Sequence, residues 1–157
     1  MKRTRKITQA AIIAALYVVL TFVANAMGLA SGAIQIRLSE ALTILPFFTS
    51  AAIPGLFIGC LISNIMVGGV IWDIIFGSLA TLLGALGTYF LRKYKWLAPF
   101  SPIIANAIIV PLMLVYAYNV TEALPYLALT VGIGEVISAG LLGMILLNSL
   151  ERHKSIF

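Results

Sequence analysis

Glu135 stands near the middle of an apolar run, residues 123–147, where a carboxylate has no water unless the fold supplies a cavity or a partner. An uncompensated acid at the centre of a membrane helix costs roughly 2.5 to 3.5 kcal/mol on translocon scales, so its presence points to a function that needs it. Asp73 poses the same question nearer a membrane face. Glu40 follows Arg37 by three positions, a spacing that lets the two pair on a helix surface. Asn64 and Asn106 are amides inside apolar stretches, and Trp72 immediately precedes Asp73. If Glu40, Asp73 and Glu135 share a cavity with Arg37, acid outnumbers base there, and the guest that fits is cationic or rich in hydrogen-bond donors. An anionic substrate fits poorly. Plainer uses stand beside this one: interfacial solvation for Arg37, Glu40 and Asp73, an interhelical hydrogen bond for Asn106, and interface-belt packing for Trp72 and Tyr116.

The chain that must position these groups has 157 residues, 62% hydrophobic and 10% charged, with a mean hydropathy of +1.10. A soluble domain carries about 25% charged residues, so this composition describes an integral membrane protein. The single cysteine, Cys60, forms no internal disulfide, and the lone histidine, His153, assembles no imidazole metal site. No metal or cofactor is implied. A glycine-rich loop ending in Lys-Ser or Lys-Thr is absent, which leaves the chain without a phosphate cradle of its own. The expectation is that the chain hydrolyses no nucleotide itself, and any ATP-driven step needs a partner.

The net charge of +5 does not describe a nucleic-acid face, because the basic residues cluster at the edges of apolar runs. Lys2, Arg3, Arg5 and Lys6 open the chain, Arg92, Lys93 and Lys95 fill one connection, and Arg152 and Lys154 close it. Such clusters mark cytoplasmic loops. Clear runs at residues 7–27, 72–91, 97–118 and 124–147 are each near the roughly 20 residues needed to cross. Between them, residues 41–67 are apolar but interrupted by Pro46, Thr49, Ser50 and Pro54. Read as one helix, that stretch puts the Arg92 and Arg152 clusters outside; divided near Ser50, it puts all three clusters inside. The expected fold is therefore an all-α membrane protein, a compact bundle of six transmembrane helices with cytoplasmic N- and C-termini. Its short pieces, residues 36–48 and 51–67, must tilt, thin the bilayer or pack inside the bundle. A signal peptide cleaved near Ala24-Asn25-Ala26 is the rival reading, with five spans; a retained first helix is preferred because the rest of the chain is itself membrane-embedded.

No linker or repeat divides the chain, which reads as one domain, residues 1–157. Outer connections fall at residues 28–36, 68–71 and 119–123, and the first, rich in Gly, Ala and Ser, suits either a mobile lid or a plain connector. Small residues recur at helix-neighbour spacing: Ala10 with Ala14, Ala11 with Ala15, Gly55 with Gly59, and Ala139 with Gly143. Ordinary intramolecular packing accounts for the last two pairs, whereas the alanines near the basic N-terminus offer a flat surface to another membrane subunit.

Three stretches then carry a resemblance: Gln35-Ile-Arg-Leu-Ser-Glu-Ala-Leu at 35–42, Gly-Gly-Val-Ile-Trp-Asp-Ile-Ile-Phe-Gly at 68–77, and the alanine pairs of the first helix. Over nearly its whole length the chain resembles the substrate-binding S components of energy-coupling factor transporters, in particular the QueT group assigned to queuosine precursors. That resemblance implies a six-helix protein that captures a micronutrient outside and works with a transmembrane coupling subunit and two ATPase subunits. It implies that Ala10, Ala11, Ala14 and Ala15 contact the coupling subunit, and that the loop after the first helix gates the site. The implied substrate is an aminomethyl-deazaguanine. Its guanine-like edge offers adjacent N–H donors to one carboxylate and its ammonium asks for a second. Glu135 and Asp73 lead as candidates, Glu40 is able to replace either, Asn106 and Asn64 suit the carbonyl or ring nitrogens, Trp72 suits stacking, and Arg37 orients Glu40 or touches ligand. Other readings are an S component for another micronutrient, a stand-alone proton-coupled carrier relaying protons through Glu135 and Asp73, and a membrane hydrolase using paired carboxylates, for which no signature surrounds either acid.

Overall fold

Apolar runs punctuated by glycine, proline and basic turns fold into six helices in a computed structural model, which describes residues 2–30 and 33–153. Lys154 lies outside the described residues, as do Ser31 and Gly32 of the first outer connection and the side chain of Lys2. The first helix is Lys2–Ala26, the second Leu38–Phe47 and the third Ala52–Met66. Asp73–Phe90, Phe100–Tyr118 and Leu124–Glu151 follow as the fourth, fifth and sixth. Among the described residues there is no strand. Four of the six, the second and third excepted, are long and apolar enough to cross a membrane.

The break near Ser50 falls where the sequence interrupts its apolar run, and it leaves two short helices of 10 and 15 residues. The second is a 3-10 helix. Pro46 lies inside it and cannot donate to an α-helical ladder, while the Thr43 hydroxyl donates to the Glu40 carbonyl at 2.6 Å. Ten residues at about 2.0 Å rise reach roughly 20 Å, against roughly 15 Å for the same length of α-helix. Its residues from Ser39 to Pro46 are all buried, so this short element sits inside the bundle, away from lipid.

The first and third helices pack through small residues. A Cβ built on Gly55 would meet the Ala10 carbonyl oxygen at 2.7 Å, and one on Gly59 would meet the Ala14 Cα at 3.0 Å, so only glycine permits this approach. Around that seam Ile13, Tyr17, Leu42, Leu45, Leu56 and Cys60 form the core. The turns at Gly28, Gly68 and Asn119 gather at one end of the bundle, where these residues adopt the positive φ angles (71°, 78° and 52°) that redirect the chain. At the opposite end Lys95 pairs with Glu151, and the Thr88 hydroxyl donates to the Ala98 carbonyl at 3.1 Å.

Two helices carry π-helical segments, Asp73–Gly77 in the fourth and Val136–Leu142 in the sixth. Each begins at or beside an acidic residue that the sequence singles out. Such segments widen a turn and redirect the side chains bordering it.

Candidate functional site

A cavity of about 650 Å³ lies at the end of the bundle that holds the turns of Gly28, Gly68 and Asn119. That volume falls within the roughly 300 to 1,000 Å³ usual for small-molecule sites. Arg37, Asn64, Asp73, Asn106 and Glu135 all border it, so five of the seven residues expected to meet a ligand converge on one space.

Backbone crossings place the deepest of these groups. A Cβ on Gly134 would lie 2.2 Å from the Gln35 carbonyl oxygen, so the absence of a side chain lets the segment before the second helix cross the sixth. One turn on, the Ser138 hydroxyl accepts from the Arg37 amide at 3.0 Å and donates to the Gly134 carbonyl at 2.8 Å. This clamp sets Arg37 and Glu135 on the same wall. Glu135 is 5% exposed, and its Oε2 has no hydrogen-bond partner. A buried carboxylate oxygen left this way asks for a donor from the cavity.

Arg37 precedes the second helix in extended conformation (φ −104°, ψ 99°), and among the described residues it forms no ion pair with Glu40. The direct ion pair expected from three-residue spacing is not made because only Glu40 is helical, although the two charges still attract through space. Glu40 is fully buried and does not border the cavity. Its Oε1 accepts from the Tyr17 phenol and lies 3.3 Å from the Thr81 hydroxyl, whereas Oε2 has no partner. Asp73 accepts from the Tyr118 phenol. The Asn64 amide donates to the Asp73 carbonyl at 3.0 Å, and the Asn106 amide donates to the Pro102 carbonyl at 3.1 Å.

Trp72 lies elsewhere. It is 43% exposed and stacks on Phe76 at 5.9 Å, away from the cavity wall, because the turn into the fourth helix points Asp73 inward and its neighbour outward. The alanines of the first helix divide as well: Ala10 and Ala14 face Gly55 and Gly59, whereas Ala11 and Ala15 are exposed.

Tyr17, Tyr118 and Glu122 also border the cavity, beyond the residues expected there from sequence. Tyr17 left one signal: it continues the Ala10 and Ala14 face, so a polar-tipped ring follows the small residues into the bundle. Tyr118 and Glu122 sit at a helix end and in a turn, where such residues are ordinary. Among the described residues no three of His, Cys, Asp and Glu group closely enough to hold a metal ion.

The profile of the QueT transporter family matches residues 7–152. The chain is also 39% identical over 95 residues to the protein named Queuosine precursor transporter QueT of Lactococcus lactis subsp. cremoris (strain MG1363). That alignment covers 59% of this chain and 55% of the relative, so it spans about half of the relative's length. No solved structure matches the chain. Four helices able to cross a bilayer, in a chain matched to a transporter family over most of its length, make this a multi-pass membrane protein.

Proposed function

Since this chain belongs to the QueT transporter family, we propose that it captures a queuosine precursor, an aminomethyl-deazaguanine, for uptake as the S component of an ATP-driven energy-coupling factor transporter. The observation that carries this reading is the Glu135 carboxylate, buried at the cavity wall with Oε2 lacking a partner. A guanine-like edge supplies two neighbouring N–H donors to such a group, and the aminomethyl ammonium suits Asp73 at the mouth. The chain lacks a phosphate cradle, so a transmembrane coupling subunit and two ATPase subunits supply the energy. Six spans with both termini in the cytoplasm place the cavity on the outer side, consistent with the basic residues at the opposite end.

In this scheme substrate enters from outside, the connection between the first two helices covers it, and ATP hydrolysis in the partners reorients the bundle to release it inside. Ala30 and Ala33 of that connection border the cavity, which suits a covering role. Ala11 and Ala15 present the exposed small-residue face for the coupling subunit, while Ala10 and Ala14 hold the first helix to the third.

The test is a binding panel on the purified protein, comparing aminomethyl-deazaguanine with guanine, folates, riboflavin and thiamine. Tightest binding of the deazaguanine is expected, and preference for another micronutrient would overturn the substrate. Proteoliposomes holding this chain alone should accumulate nothing. Accumulation without ATPase subunits would instead mark a self-sufficient carrier.

A further inference from the structure

Two tyrosines on different helices border the cavity, and each has its hydrogen engaged by a carboxylate. Tyr17 of the first helix donates to Glu40 Oε1, and Tyr118 at the end of the fifth donates to Asp73 Oδ2. A phenol has one hydrogen, and each of these is spent on the carboxylate, so what each phenol oxygen retains for a ligand is lone pairs. Thr81 does not displace Tyr17 from this role, since its single hydroxyl hydrogen has a nearer acceptor in the Gly77 carbonyl (3.1 Å) than in Glu40 Oε1 (3.3 Å).

The amides follow the same sign. Asn64 and Asn106 each approach a backbone carbonyl, which only accepts, so the nitrogen must point there and the side-chain oxygen is left over. Glu135 adds a partnerless carboxylate oxygen at the wall. Apart from the second N–H of Asn106, the atoms left to a guest by these five side chains are acceptors.

We propose that Tyr17 and Tyr118 are specificity-determining residues that act as hydrogen-bond acceptors, held in that sense by Glu40 and Asp73, so that the cavity selects its guest by N–H donors. Glu40, which does not reach the cavity, is then a positioning residue that acts through Tyr17. The proposal deepens the uptake reading and rests on the cavity being the substrate site.

The experiment pairs purines and 7-deazapurines that differ by one donor, amino against hydrogen and aminomethyl against methyl, and measures their affinities for the wild type, Tyr17→Phe, Tyr118→Phe and Glu40→Gln. The wild type should prefer the donor-bearing member. Each tyrosine variant should lower that preference by about tenfold for one of the two donor groups and leave the other member's affinity unchanged. Glu40→Gln keeps an acceptor in its amide oxygen but loses the charge that favours this sense of the bond, so it should lower the preference by less than Tyr17→Phe does. Equal weakening of both members, or an unchanged preference in the tyrosine variants, overturns the proposal.

A second readout needs no ligand. With ring-labelled tyrosine, infrared difference spectra of Glu40→Gln and Asp73→Asn against wild type should show a shifted tyrosine C–O band, and unshifted bands overturn the proposal. Should the wild type bind no member of the panel, the substrate reading falls and the infrared bands alone decide the sense of the hydrogen bonds. Where Glu40→Gln fails to fold, Tyr17→Phe carries the binding arm.

Discussion

Gly134 lies so close beneath Gln35 that a methyl group on its Cα would sit 2.2 Å from the Gln35 carbonyl oxygen. The obstacle is backbone and cannot swing aside. Gly134→Ala should therefore displace residues 35–37, loosening the Ser138 contact that fixes Arg37, and cost about 1 to 3 kcal/mol, as overpacking does elsewhere. Gly132→Ala is the control, since its nearest neighbour would lie at 3.9 Å, an ordinary contact. Unfolding temperatures in detergent should fall for the first variant and hold for the second. If both behave alike, the crossing does not constrain the site.

Glu135→Gln separates a binding acid from a structural one. The Oε2 of Glu135 has no partner within the protein, so replacing the carboxylate by an amide removes a desolvation cost without breaking a hydrogen bond at that atom. Stability should hold or rise. Loss of a charge-assisted contact of about 1.5 to 3 kcal/mol should at the same time weaken ligand affinity roughly 10- to 100-fold. Titration calorimetry and thermal unfolding on the same preparation check both halves, and unaltered affinity would remove Glu135 from the site.

Elements defined by long-range uniformity were legible in the sequence, while contacts defined by a turn or by burial order were not. Parity of the basic clusters located the division near Ser50, and residues 72–91 and 97–118 agree with the fourth and fifth helices within a few residues. The 3-10 form of the second helix escaped because Pro46 interrupts an α-helical ladder without specifying what replaces it, and the enclosure of every residue from Ser39 to Pro46 is tertiary. Depth along a helix correctly placed Asn106 and Glu135 at the cavity, but direction around the axis is not a matter of depth. That is why Glu40 lies behind Tyr17, and why Trp72 and Asp73, adjacent in sequence, serve different surfaces.

Trp72→Ala accordingly leaves ligand affinity within about twofold of wild type, as expected of a surface substitution away from the site. The ring is 43% exposed and contacts Phe76, a residue that likewise faces outward. Its loss should instead be felt in bilayers, where an indole at a helix end anchors the segment at the interface. Equilibrium binding in detergent checks the first statement. A tenfold or greater loss there would return Trp72 to the cavity as a stacking platform.

The two alanine pairs of the first helix should respond oppositely to the same enlargement. Ala14 is buried against Gly59, whose Cβ position lies 3.0 Å from the Ala14 Cα, so Ala14→Leu forces the first and third helices apart. Destabilisation of about 1 to 3 kcal/mol is expected, with weaker ligand binding as Tyr17, one turn along the same face, is displaced. Ala15 is exposed, and in lipid an added Leu side chain costs the isolated subunit nothing in packing. Ala15→Leu should thus keep both its unfolding temperature and its ligand affinity but lose uptake in cells that carry the whole transporter, because the close approach of a second membrane subunit is blocked. Binding to the purified protein and uptake by whole cells, measured on both variants, distinguish the two faces; full uptake by Ala15→Leu would move the coupling surface off the first helix.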